Sequence, residues 1–141
     1  MIRTGFTGQY EHSLDDKGRV SLPSKYKKYI EQITANPENA GQLVLTTGKH
    51  ECIEIFTGED WERMVESFNR TASLKDGNNP DDIRDKSRMT DPVSLDKSGR
   101  ITINANLKKY AGIKKKVVFV GVIDRIEIWD PQKLEEYYKG R

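Results

Sequence analysis

The stretches "SLDDKGRVSL" (Ser13–Leu22) and "SLDKSGRITI" (Ser94–Ile103) share Ser-Leu-Asp, two variable residues, Gly-Arg and an alternating tail. Asp in the first place and Gly in the fourth is type I turn chemistry. The carboxylate accepts nearby backbone N–H groups, and glycine tolerates positive φ. Apolar and polar residues alternate on both sides, in "GQYEHSL" before the first turn and "RVSLP" after it, so the motif predicts a β-hairpin. Turn chemistry accounts for Asp15, Gly18, Asp96 and Gly99. It does not call for Arg19 and Arg100, because strands favour β-branched and aromatic residues there. The repeated arginine is therefore the first candidate for function.

The motifs belong to a longer internal repeat. Ser13–Tyr29 aligns with Ser94–Tyr110 at 8 of 17 identical positions, and "IEIF" from Ile53 matches "IEIW" from Ile126. The offset falls from 81 to 73 between these blocks, and the extra residues fit "ANPENAG", a loop-like stretch in the first copy. Two copies of one supersecondary unit follow. Each has a hairpin, a short helix and two further strands, "QLVLTT" with "CIEIF" and "KVVFVGV" with "RIEIW". Pro23 suits the first helix start, while Asn104 and Gly112 suit the ends of its counterpart.

Between the copies, Thr57 to Asp60 reads as a weak capping box before "EDWERMVESFNRTASL", whose Trp61, Met64, Val65 and Phe68 share a helical face. "KDGNNPDD" is a break from which Asn79 and Pro80 open a helix through "DIRDKSRM", and Asp130 and Pro131 open a terminal helix, "PQKLEEYY". The expected organisation is a first unit at 8–56, a helical connector at 57–91 and a second unit at 92–135. The fold class is α+β and rich in β-structure. A half of roughly 50 residues makes a weak domain, so the repeats are expected to pack as a pseudo-dimer sharing a β-barrel core, with helices flanking it.

Composition bounds the partners. Of 141 residues, 35% are hydrophobic and 33% charged, which fits a globular chain with a charged surface. The net charge of +2 is too small to imply a polyanionic partner, so any such case rests on local clustering. "MIRTGFTGQY" lacks a signal-peptide core and no apolar run is long enough to span a bilayer, giving an expectation of a cytoplasmic protein without a membrane partner. The single cysteine, Cys52, fits a reducing compartment and a buried packing role.

Positive charge does cluster. Lys17, Arg19, Lys25, Lys27 and Lys28 surround the first turn, and Lys97, Arg100, Lys108, Lys109 and Lys114–Lys116 the second. The segment from Gly58 to Pro92 has nine acidic residues against six basic ones. A β-ribbon bearing arginine fits the DNA major groove, where a guanidinium bonds guanine O6 and N7 while lysines neutralise phosphates. Catalysis lacks support. His12 and His50 occupy non-equivalent places, and the sequence has no metal-ligand spacing, phosphate loop, dinucleotide fingerprint or nucleophile elbow. No cofactor and no small-molecule substrate are expected. Trp61 and Trp129 read as packing anchors for the helices that follow them.

"YEHSLDDKGRVSLPSKYKKY", "CIEIFTGEDWERM" and "VSLDKSGRITINANLKKYAGIKKKVVFVGVIDRIEIWD", in that order, resemble the MraZ family of bacterial transcriptional regulators. The resemblance implies two tandem AbrB-like swapped-hairpin domains and a nucleoid protein assembling into homo-oligomeric rings. It also implies binding to short direct repeats ahead of the division and cell-wall gene cluster that contains the protein's own gene. The signature Asp and Arg fall on Asp15 and Arg19 and on Asp96 and Arg100. Lys17, Lys97, Lys27, Lys28, Lys108 and Lys109 complete the expected DNA-binding set. Asn104 stands where the family usually has proline, and Lys28 and Lys109 where arginine is common. The rival readings are an AbrB-like antitoxin, which would normally add a disordered toxin-binding tail after "YYKGR", or a protein–protein assembly module whose arginine turns pair between subunits.

Overall fold

The computed structural model describes residues 2–70 and 80–141. Along them run β1 (Gln9–Ser13), β2 (Arg19–Ser21), α1 (Ser24–Ile33), β3 (Gln42–Thr47), β4 (Ile53–Thr57), α2 (Gly58–Arg70), α3 (Pro80–Met89), β5 (Asp91–Ser94), β6 (Arg100–Thr102), α4 (Ala105–Ala111), β7 (Lys116–Gly121), β8 (Ile126–Trp129) and α5 (Pro131–Lys139). Local chemistry sets the helix starts. The Asn104 side chain accepts from the Leu107 N–H, and Asp130 accepts from the Lys133 N–H with Pro131 in the first turn. Gly112 closes α4 at a φ of 66°. Only half of the expected capping box forms at α2: the Thr57 hydroxyl accepts from the Asp60 N–H, while the Asp60 carboxylate pairs with Arg63. Pro80 opens α3, whereas Asn79 and most of the break before it lie outside the described residues, as do Thr71–Leu74 at the end of the preceding helical stretch.

Each copy completes the other. β1 pairs antiparallel with β7, and β5 with β3, so the first strand of one copy lies on the third strand of the other. β2 pairs with β6 and β4 with β8. Val20 faces Ile101 and Glu54 faces Glu127. Both pairs join equivalent positions of the repeat, so a pseudo-two-fold axis passes through each.

Two expectations need correction. β1 and β2 do not form a ladder with each other. The turn between them forms, but its three-residue outgoing arm pairs with the equivalent arm of the other copy. The β-core is also not a closed barrel: six strands form an open sheet in the order β1-β7-β8-β4-β3-β5, and β2-β6 form a separate ribbon. Closure fails because the edge strands β1 and β5 both run out into the Asp-x-x-Gly turns, which carry the chain from the sheet to the ribbon.

Sheet and ribbon nevertheless share one core. Val20 and Ile101 from the ribbon join Leu45, Ile55, Phe119 and Ile128 from the sheet in a single buried cluster. Tyr26 of α1 stands at its centre, edge-on to Phe6, Tyr10 and Phe119 at centroid distances of 5.9, 5.4 and 6.4 Å. Burial pushes its phenol up to about 12, while its hydroxyl donates to the Gly8 carbonyl at 2.8 Å. Cys52 is fully buried beside Trp129 and Leu134, and burial pushes its thiol up to about 12, so it is an inert packing residue.

Glu54 and Glu127 meet directly on the axis, a costly like-charge pairing. The Arg125 Nε donates to Glu54 at 3.0 Å, and Lys86 of α3 reaches both Glu54 at 3.3 Å and the Thr47 carbonyl at 2.6 Å. These contacts offset the repulsion and tie the connector to the sheet. By contrast Met64, Val65 and Phe68 of α2 remain 42–44% exposed.

The connection between β7 and β8 holds Ile123 at a φ of 75°, where a β-branched residue is strained, and its side chain is 63% exposed. Backbone bonds to Phe6 in both directions, each of 2.8 Å, hold it there. Ile123→Gly is expected to raise stability by about 1 kcal/mol, the relief of strain less the added freedom of the unfolded chain. Denaturant unfolding checks this, and a loss of stability would show that the side chain matters more than the strain.

Candidate nucleic-acid interface

The alternation of β2 and β6 decides which way the arginines face. Val20 and Ile101 are buried, so their neighbours Arg19, Ser21, Arg100 and Thr102 line the outer face of the ribbon. The register sets Arg19 opposite Thr102 and Arg100 opposite Ser21. The two arginines are therefore diagonal neighbours on one face, roughly 7–8 Å apart at the backbone.

Each turn positions its arginine through an Asp whose two oxygens do different work. Asp15 Oδ1 accepts the backbone N–H groups of Lys17 and Arg19 at 2.9 and 2.8 Å, while Oδ2 accepts Arg19 Nε at 2.7 Å. Asp96 repeats this with Ser98 and Arg100 at 2.8 and 2.9 Å, and with Arg100 Nε at 2.9 Å. Gly18 and Gly99 take φ values of 78° and 75°, so glycine is required at both. Their carbonyls accept the N–H groups of Ile103 and Leu22 from the opposite copy, at 2.9 and 3.0 Å, which clasps the turns together. With Nε engaged by the Asp of its own turn, each guanidinium keeps Nη donors for an external acceptor, although one Nη of Arg100 also lies 3.7 Å from Asp15 Oδ2. The arginine side chains are 33% and 31% exposed.

The hydrogen bond from the Arg19 backbone N–H, helped by the Arg19 guanidinium and the Lys17 N–H, holds the Asp15 carboxyl down at about 2 from an ordinary 3.8. The same contacts from Arg100 and Ser98 lower Asp96. Both carboxylates are thus ionised at any physiological pH, and both arginines stay gripped.

The structure distributes the expected lysines unevenly. Lys17 and Lys97 are exposed on the turns beside the arginines, and Lys27 reaches from α1 across the opposite turn, where a side chain on Gly99 would collide with its ammonium. Lys108 does not approach Gly18 in this way. Lys28 lines a cleft with Thr4, Phe6 and Tyr29, on the side of α1 that faces the N-terminal segment, and Lys109 is exposed on α4. The cross-repeat ion pair between Arg100 and Asp15 and the lysine over Gly99 escaped sequence reading, since only the β2–β6 pairing brings such distant residues together.

A family model described as "MraZ protein, putative antitoxin-like" matches residues 6–80 and 88–140. The chain is also 35% identical over 132 residues to "Transcriptional regulator MraZ" of Acetivibrio thermocellus, covering 94% of this chain and 85% of that one. The chain belongs to the MraZ family. That family is one of regulators and not of enzymes. Among the described residues, no helix is long and apolar enough to cross a membrane.

The Asp15 pKa implies a direction for acid sensitivity in this MraZ-family chain. A carboxylate with a depressed folded pKa stabilises the fold above its unfolded value, near 3.8, and loses that contribution as pH falls toward about 2. A carboxyl-carbon NMR titration should place the Asp15 midpoint near 2 and that of Asp96 also below its ordinary value. An ordinary midpoint for Asp15 would mean that the turn does not grip Arg19 in solution.

Proposed function

We propose that this protein is a transcriptional regulator that binds double-stranded DNA sequence-specifically through the β2–β6 ribbon, acting on short direct repeats upstream of its own gene and of the division and cell-wall cluster. The observation that carries the reading is the pair of outward arginines on one clasped ribbon, each held at Nε by the Asp of its own turn with Nη donors remaining beyond that bond. A two-stranded ribbon fits the major groove, and an Nη pair matches guanine O6 and N7. Lys17, Lys97 and Lys27 stand where they would meet phosphates on either side, with Lys28, Lys108 and Lys109 further out on the helices. The name of the Acetivibrio thermocellus relative supports regulation as the purpose.

In this reading the two units at 8–56 and 92–135 act as AbrB-like swapped hairpins, the exchange of β1 and β5 being the swap, and 57–91 connects them. One ribbon offers few phosphate contacts, so useful affinity comes from several copies on neighbouring DNA repeats, through effective concentration. A cytoplasmic, nucleoid-associated ring of identical subunits supplies that valency. The exposed apolar face of Met64, Val65 and Phe68 on α2 suits such an assembly.

The deciding measurement is affinity for a duplex from upstream of the gene against a scrambled duplex. Arg19→Ala and Arg100→Ala should each reduce the preference roughly 5- to 150-fold, a cost of about 1–3 kcal/mol per base contact. A folded double variant that binds both duplexes as wild type does would refute the arginine readout, leaving assembly or antitoxin function. Lys27→Ala should weaken binding to both duplexes alike and reduce the salt slope by about 1.

For assembly, Phe68→Glu should shift the chain toward smaller species in analytical ultracentrifugation while its circular dichroism is unchanged. An unaltered sedimentation profile would place the subunit interface elsewhere.

A further inference from the structure

The pseudo-two-fold axis relates the two turns, but their ion pairs are not symmetric. Asp15 Oδ2 lies 2.7 Å from Arg19 Nε and also 3.7 Å from an Nη of Arg100. Asp96 Oδ2 contacts its own Arg100 at 2.9 Å, and the reciprocal pair of Asp96 with Arg19 is not formed among the described residues. The four groups thus make an open chain, Asp96–Arg100–Asp15–Arg19, with Asp15 as its only shared carboxylate.

We infer that Asp15 is a positioning residue for both arginines, so that it couples their two contacts to DNA, whereas Asp96 serves Arg100 alone. This rests on the arginine readout proposed above. Among the described residues Arg19 is paired at Nε only, so both its Nη groups are available to an acceptor in the groove. Arg100 is held at Nε and leans an Nη toward Asp15, so it must give up or share that contact to take a base bidentately. Whatever moves Arg19 relative to Asp15 therefore changes how readily Arg100 can read.

Asparagine is the informative substitution. Its Oδ1 still accepts the N–H groups of Lys17 and Arg19 and keeps the turn, whereas an amide in place of Oδ2 no longer accepts from either guanidinium. Asp15→Ser offers a second turn-compatible variant should Asp15→Asn unfold. The first measurement needs no DNA. In spectra of the arginine side-chain N–H groups, Asp15→Asn should shift the guanidinium signals of both Arg19 and Arg100, and Asp96→Asn those of Arg100 only. An unmoved Arg100 in both Asp15 variants would overturn the shared role, whatever the protein does with DNA.

The second measurement uses the upstream and scrambled duplexes. Asp15→Asn should lower the preference roughly tenfold and Asp96→Asn about threefold, as loss of two positioned arginines against one. Affinity for the scrambled duplex should hold or rise in both, because a negative charge has been removed beside a polyanion. A merely structural role for Asp15 would instead weaken binding to both duplexes and lower the melting temperature. Equal losses from the two substitutions would also refute the asymmetry. Should the wild type not discriminate between duplexes, the proposed readout falls, and the side-chain spectra identify that failure as separate from loss of the ion-pair chain.

Discussion

Neither copy of the repeat can satisfy its own first strand. β1 has a ladder only on β7, and β5 only on β3, so the backbone groups of each copy depend on the other. The shared core and the clasped turns follow from that exchange. The edge strands must leave the sheet through the Asp-x-x-Gly turns, and the outgoing arms, three residues each, are too short to be stable except against one another. A ribbon with its buried face committed to the core then has one remaining face, and it is there that the arginines emerge.

Rigidity at that face comes from an economical use of the turn aspartates. Loose arginine side chains lose on the order of 2 kcal/mol of rotamer freedom when a partner fixes them. Here Oδ1 fixes the backbone while Oδ2 fixes Nε, so part of that freedom is already lost in the folded protein. The turn glycines serve the same end, since their carbonyls receive the opposite strand and prevent the two arginines from moving independently.

Much of this was legible in the sequence. The repeat, the turns, the helix caps at Asn104 and Asp130, and the strand pairs β3–β4 and β7–β8 are local, and local chemistry announces them. The pairing of β1 with β7 and of β2 with β6 was not legible as a register, because alternation tells which residues face inward without naming the partner strand. Alternation about the turn therefore predicts a hairpin where the two arms in fact diverge. The same gap hid the contact of Asp15 with Arg100, which are 85 positions apart, and of Lys27 with the turn at Gly99. Lys28 and Lys27 look equivalent in sequence, yet one helical step of about 100° sends them to different sides of α1.

Carrying both copies in one chain has a consequence that a dimer of identical halves could not reach. Identical halves would force Asp15 and Asp96, or Lys27 and Lys108, into the same environments, whereas the tandem chain lets them diverge. Asp15 has taken a second arginine, Lys27 has crossed to the opposite turn, and Glu54 alone of the axial glutamates has gathered Arg125 and Lys86. A symmetric ribbon reads the same pattern in both directions and suits a palindrome. A ribbon with one arginine held by its own turn alone and one drawn also toward the other copy's Asp has a direction, and direction is what binding to the repeats proposed above demands if they point the same way along the DNA.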